Sequence, residues 1–327
     1  MTIARYSGKM WKQVVNRNAR ENPMSLGIKP TVDFVFKKVF GSPENVSVLI
    51  GLLNAILKRP HPIVHVKILN PFSYKDFEDE KLIVLDIRAR DSAGRWLNIE
   101  MQVTIFAGLL QRLVYYASSM YVVQLESGDD YADLRCAISI CLLNKVLFHE
   151  DTAPHHRFRM CDPEHGLEIA DSIEVHTLEL MKYNLQETTI STAPAIEQWA
   201  FFFLYADRYE PERLRELLPG VEFQQAISVV EAIAGKTEDR MMYDQRLKAQ
   251  RDYQWGLDSA RQQGLEEGME KGMEKGMEKG ETVGKIQVLQ ELLGDELTPT
   301  ASLRNLAIAD LSAILADLQQ RLRSRES

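Results

Sequence analysis

The stretch Lys81–Thr104, KLIVLDIRARDSAGRWLNIEMQVT, decides the fold of this chain. Two runs in it alternate apolar and polar residues. In the first, Leu85, Ile87 and Ala89 stand against Asp86, Arg88 and Arg90. In the second, Leu97, Ile99, Met101 and Val103 stand against Trp96, Asn98, Glu100 and Gln102. A period of two is that of a half-buried β-strand. Asp91-Ser92-Ala93-Gly94 separates the runs and puts glycine where a left-handed backbone is needed, so the pattern predicts a β-hairpin. With Ser92-Ala93-Gly94 as a three-residue loop, Asp91 pairs with Arg95 and opposed positions sum to 186.

In that register Asp86 faces Glu100, with Cβ atoms about 4.5–5.5 Å apart. Two carboxylates so placed destabilise a sheet unless a cation or a shared proton compensates. Mg²⁺ takes oxygen ligands, commonly one or two carboxylates with water and a phosphate. Asp86 and Glu100 are therefore a candidate metal pair, and the main-chain carbonyl of Met101 offers a third oxygen. The competing reading leaves both acids on a solvated strand face beside Arg88 and Arg90.

Upstream, residues 31–58 carry apolar residues at helical spacing, and Gly41-Ser42-Pro43 divides them into two predicted helices. Residues 64–70 read as a short strand. Downstream, Leu109, Leu113, Tyr116 and Met120 mark a helix over 107–125, Ala137–Leu143 reads as a buried strand, and Ile173–Leu180 alternates again. Helices and strands thus interleave around one sheet, an α/β or α+β pattern. From about residue 190 the chain reads as helical, with a long helix expected from near Asp239 to Leu293 and an amphipathic one over Leu303–Leu322. Within the long helix Gly264, Gly268, Gly272, Gly276, Gly280 and Gly284 recur every four residues, with Met269, Met273 and Met277 alongside. That smooth stripe suggests a homo-oligomeric stalk, set against a marginally helical linker, since each interior glycine costs about 0.5–1 kcal/mol.

Composition excludes several classes. The 327 residues are 45% hydrophobic and 26% charged, as in ordinary globular proteins, and no apolar run reaches a membrane span of about 18 residues. Cys136, Cys141 and Cys161 form no CxxC pair, which argues against a disulfide framework and for a reduced, cytoplasmic setting. His149, His155, His156, Cys161 and His165 fit no zinc spacing and are expected in a solvated loop. The net charge of −8 is uneven: residues 1–125 hold 17 Lys plus Arg against 10 Asp plus Glu, and residues 126–327 hold 22 against 37. The overall acidity therefore does not exclude a nucleic-acid partner for the basic half. Residues 1–25 read as a basic, disordered arm, with Met24 as an alternative start.

Asp86, 13 residues, then Glu100-Met101-Gln102, in a helix–strand–hairpin–helix frame, resembles the PD-(D/E)xK nuclease superfamily. Thr31–Gly41 (TVDFVFKKVFG), Asn98–Gln102, Arg112 with Tyr115-Tyr116, and Ile173–Leu180 are more closely similar to the recombination-promoting nucleases, bacterial proteins often labelled transposases. The resemblance spans about 26–185 and implies a restriction-endonuclease-like core, a mixed central sheet flanked by helices. An all-α region would follow, with a helical subdomain at 186–238 and the long helix and oligomerisation region at 239–327. It also implies a Mg²⁺-dependent DNA endonuclease, with Mn²⁺ able to substitute, linked to recombination or a mobile element. Asp86 and Glu100 would hold the metal, Asp33 would act as an auxiliary acid, and Gln102 stands where the superfamily has Lys. Arg112, with Gln111 and Tyr115, would bind the substrate. Glutamine cannot take a proton near neutrality, so the alternative is a DNA-binding or assembly protein that keeps the fold with little or no catalysis.

Overall fold

Strands that are apolar on one face need a layer to bury it, and residues 31–58 supply one. The computed structural model describes residues 25–77 and 87–325; residues 1–24 of the expected arm, and Asp86 with Lys81–Leu85, lie outside the described residues. Helix α1 (Asp33–Phe40) buries Phe34, Val35, Phe36, Val39 and Phe40. Its end at Gly41 and the Pro43 beyond restart the chain as α2 (Val46–Leu57), as the sequence predicts. A helix buried on nearly every side belongs to a core, which is how this apolar pair is placed. No single described helix is long and apolar enough to cross a membrane.

The strands are β1 (Val66–Ile68), β2 (Ile87–Asp91), β3 (Trp96–Gln102), β4 (Ala137–Leu143), β5 (His155–Arg159) and β6 (Ile173–Glu179). They form one six-stranded sheet in the order β1-β2-β3-β4-β6-β5. In the β2–β3 hairpin, Ile87 pairs with Ile99, Arg88 with Asn98, Ala89 with Leu97 and Arg90 with Trp96, so every described pair sums to 186. Asp91 sets this turn: its N–H donates to the Arg95 carbonyl at 3.2 Å, and its Oδ1 accepts from the N–H groups of Ala93 and Arg95, each at 3.0 Å. Gly94 closes the loop at φ +81°, a conformation that a side chain would strain.

Strands β3, β4 and β6 are parallel neighbours. A parallel connection needs a crossover, and α3 (Leu109–Val122) supplies it between β3 and β4. The sheet is thereby covered on both sides. Leu97, Ile99, Ile138 and Ile140 face α1 and α2, whereas Cys141, Leu143 and Val175 face Leu109 and Leu113 of α3. The sequence places His155–Arg159 in a solvated loop. The structure corrects this: the segment is strand β5, antiparallel to β6, because pairing there satisfies backbone groups that β6 would otherwise leave open.

Helices α4 (Ala195–Tyr205), α5 (Pro211–Leu217) and α6 (Val221–Gly235) share the core of α1 and α2. Trp199 is the hinge of that packing, its ring 5.4 Å from Phe40 and 4.2 Å from Phe223. Helix α7 (Thr237–Leu293) is 57 residues long. The chain divides into two compact units at Arg251 and Asp252. In the second, Val283, Ile286 and Leu293 pack against Leu303 of α8 (Thr300–Asn305) and against Leu311 and Leu318 of α9 (Ile308–Arg325). Met269, Met273 and Met277 are exposed, and a side chain at any of the repeat glycines would meet nothing within 4 Å.

Truncating Trp199 to alanine should cost about 3–5 kcal/mol through the cavity left among Phe40, Phe202, Phe203 and Phe223. Urea unfolding of the purified variant beside the native chain measures that loss.

Candidate active site

Alternation along β3 sends Asn98, Glu100 and Gln102 to the α3 side of the sheet. There the two readings of the polar face separate: Asn98 is 1% exposed and Glu100 is 0% exposed, so β3 presents no solvated acid. On the neighbouring β2 the same alternation leaves Arg88 and Arg90 exposed. A buried carboxylate needs partners, because removing its charge from water is costly. Arg112 of α3 provides one, its Nη2 donating to Glu100 Oε2 at 3.0 Å. Gln102 Nε2 donates to the same oxygen at 3.3 Å.

Arg112 is delivered by the start of α3. Gly108 precedes the helix at φ +85°, a left-handed turn that brings the chain back over the sheet, and the Arg112 N–H donates to its carbonyl. The guanidinium lies 4.6 Å from the Phe106 ring centre and 5.7 Å from that of Tyr116. Aromatic faces attract a cation and fix its direction. Gln111 is exposed, and Tyr115 is 67% exposed with its ring 6.0 Å from Tyr116. Gln111 and Tyr115 are thus on the outer side of α3, beside an arginine that reaches inward.

The structure therefore brings Glu100, Gln102 and Arg112 together. Asp33 is committed elsewhere. Its carboxylate accepts from Arg246 Nε at 3.1 Å, is also contacted by Arg246 Nη2, and accepts from the N–H of Phe34 at 2.7 Å. Arg246 belongs to α7, a partner 213 residues away that no local motif announces. Met101 turns its side chain toward the α1–α2 core. Asp86 lies outside the described residues, and among those that are described no group of three His, Cys, Asp or Glu side chains could hold a metal.

Cys141 lies across the ladder from Glu100, unannounced within an apolar strand. Burial, and then the Glu100 carboxylate beside it, push its thiol well above the ordinary range. Further along this face, Asn98, Ser139 and Thr177 bury side-chain polar atoms without hydrogen-bond partners among the described residues. Glu179 is also buried here, accepting from the N–H groups of Leu147 and Phe148 and from Lys182 Nζ.

The opposite face carries a second buried acid. Glu174 on β6 accepts from Arg157 Nη2 and Arg59 Nη2, each at 2.8 Å, and from His176 Nε2 at 3.3 Å. His176 Nδ1 is in turn 2.9 Å from His155 Nε2. Burial alone would raise the Glu174 carboxyl, but hydrogen bonds from His176, Arg157 and Arg59 outweigh it and hold the group well below the ordinary glutamate range. Burial, assisted by His176, lowers His155 to about 4, so this pair is neutral at physiological pH. With Glu174 ionised, His176 donates through Nε2, and its Nδ1 accepts from His155.

The site thus defines an α/β protein with an acid buried on the second strand of an antiparallel hairpin, held by an arginine from the crossover helix. The chain matches the PD-(D/E)XK nuclease family transposases over residues 30–260 and belongs to that family. Its mixed sheet with flanking helices is consistent with the nuclease fold of the group, and the membership implies nuclease- or transposase-type function. No curated protein and no solved structure matches it.

Two outcomes follow from these surroundings. Cys161 is exposed, whereas Cys136, pushed up to about 12 mainly by burial, and Cys141 are both buried. A thiol-specific chromogenic reagent should therefore titrate one cysteine quickly and the other two only on denaturation. The lowered carboxyl of Glu174 gives stability that is full above the unfolded value near 4.5 and is lost as pH falls below it. Glu174→Gln should cost about 2–3 kcal/mol at neutral pH, less than a fully buried pair because the arginines are partly solvated, and should flatten the acid limb of melting temperature against pH.

Proposed function

We propose that this chain is a metal-dependent DNA endonuclease, acting in recombination or on a mobile element. The observation that carries the reading is the fully buried Glu100 carboxylate, met by Arg112 and Gln102 within the segment that matches the family. The register supports Asp86 as its partner, because the four described hairpin pairs all sum to 186 and the same sum relates 86 to 100. Two carboxylates and the Met101 carbonyl are hard oxygen donors, which suit Mg²⁺, with Mn²⁺ as a substitute. When bound, such an ion supplies Lewis-acid polarisation of the phosphate and a more acidic water.

Each side chain then has a distinct task. Arg112 spends part of its fork of donors on Glu100 and has others for a DNA phosphate. Gln102, whose amide nitrogen is turned to Glu100, keeps its carbonyl oxygen to accept from the attacking water and orient it. It cannot take the proton, so activation falls to the carboxylates and the substrate phosphate itself. Gln111 and Tyr115 extend the contact along the DNA backbone from the exposed side of α3. Asp33 would serve as the auxiliary acid, released from Arg246 or acting through it. The C-terminal helices would assemble copies of the chain.

The absent lysine favours a second reading, a DNA-binding or assembly protein with little turnover. Plasmid nicking in Mg²⁺ or Mn²⁺ separates the two. The native chain should nick, and Asp86→Ala and Glu100→Ala should each lose at least about 100-fold, since a lost ligand removes several kcal/mol of charge stabilisation. Calorimetric titration with the metal alone should lose its heat in the same variants. Equal nicking by all three proteins would reject the site, and metal binding without nicking would favour the second reading.

A further inference from the structure

The face of the sheet that holds Glu100 is roofed over only part of its width. Helix α3 rests there on Cys141, Leu143 and Val175. At the β1–β2 end the same face carries Lys67, Arg88 and Arg90, all exposed. Antiparallel pairing sets Lys67 directly opposite Arg90, and Arg90 directly opposite Trp96. One row of side chains thus crosses three strands as lysine, arginine and tryptophan.

Like charges directly opposed on neighbouring strands destabilise a sheet, because their Cβ atoms stand only about 4.5–5.5 Å apart. Neither Lys67 nor Arg90 has an ion pair among the described residues. Asp91, the acid next to Arg90 in the chain, is buried on the other face and paired with Arg95. The Arg90 guanidinium is instead steadied over the Trp96 ring, 5.9 Å from its centre, which leaves its N–H donors available.

A third cation joins them at the hairpin turn. A Cβ at Gly94 would lie 3.2 Å from Arg135 Cγ and 3.6 Å from Arg90 Nη2, so these two side chains flank one point. Arg135 is exposed, and its Nη1 donates to the carbonyls of Ala132 and Leu134. Of the acids in the loop before it, Asp129 and Asp130 accept from the N–H groups of Glu126 and Ala132, and Asp133 is exposed. The row is also aligned with the buried acid. Trp96 and Glu100 project from the same side of β3, four residues apart, which is about 13 Å along the strand. That is the axial length of about four base pairs.

From this unanswered pair of cations we infer that the open β1–β2 face is the track on which the DNA backbone lies as it enters the site, with Lys67, Arg90 and Arg135 on its phosphates. A phosphate between Lys67 and Arg90 removes their repulsion, and the guanidinium can grip it through two N–H donors. Such contacts set the position and direction of the strand without reading its sequence. The inference deepens the nuclease reading and rests on it for the choice of DNA among polyanions.

The test measures binding by fluorescence anisotropy of the full chain in EDTA, so that it does not depend on cleavage, with a labelled duplex and a labelled single strand of equal length. Lys67→Gln and Arg90→Gln should each lower the slope of log affinity against log salt by about 0.9 on duplex or about 0.7 on single strand, one phosphate contact apiece. Together they should weaken binding at least about 10-fold. Lys236→Glu, at an exposed lysine beyond α6 in the opposite layer, should bind as the native chain does. Lys67→Gln should keep or raise the melting temperature of the free protein, since it removes a repulsion. The strand form held more tightly is the one that the track accepts. Native affinity and salt slope in both Gln variants, a native chain that binds neither DNA, or a lower melting temperature for Lys67→Gln would each overturn the track, whatever plasmid nicking shows. Displacement of DNA by polyglutamate at equal charge would overturn it in favour of an acidic protein partner. Binding through these residues without any nicking would keep the track and reject the nuclease reading alone.

Discussion

The contact between Glu100 and Arg112 is the constraint around which the sheet is arranged. A carboxylate with no solvent exposure in the middle of a sheet is tolerable only if a cation meets it, and the cation must come from the layer directly above. That requirement fixes where α3 begins, which side of the sheet it covers and which of its faces turns inward. The turn at Gly108 and the ring faces of Phe106 and Tyr116 serve the same end by directing the guanidinium. Gln102 adds a neutral donor that brings no further charge into the site.

The same physical rule recurs at two other acids. Glu174 has Arg59 and Arg157, and Glu179 has Lys182 with two backbone N–H groups. Each is on β6 and each is answered by a residue from a flanking loop or strand. Glu174 and Glu179 each collect three or more donors, a saturation suited to structure, and Glu100 accepts from Arg112 and Gln102 with the Cys141 thiol beside it. On the proposed reading, Glu100 also serves the chemistry. Asp33 resembles the structural acids more than Glu100, since Arg246 grips both of its oxygens.

Much of this was legible in the sequence because it is local. Alternation and the Asp91–Gly94 loop gave the hairpin and its register, and helical spacing broken at Gly41-Ser42-Pro43 gave α1 and α2. The long helix and the buried strand β4 were equally plain. Strand β5 was not, since His155–Arg159 is rich in charge and histidine, and only the open edge of β6 makes it extended. Cys141 was invisible as a neighbour of Glu100 because a parallel strand pairs residues about forty positions apart without any turn to set the count.

By itself, then, the sequence determined the elements, the hairpin register and the acid and two amides that share one side of β3, since these follow from periods of two and of 3.6 residues along a continuous chain. Only the tertiary structure decided the partners. It buried Glu100 rather than leaving it on a wet strand, drew Arg112 onto it and tied Asp33 to an arginine 213 residues away. Which charge meets which depends on how layers stack across space, and a one-dimensional pattern carries no measure of that distance.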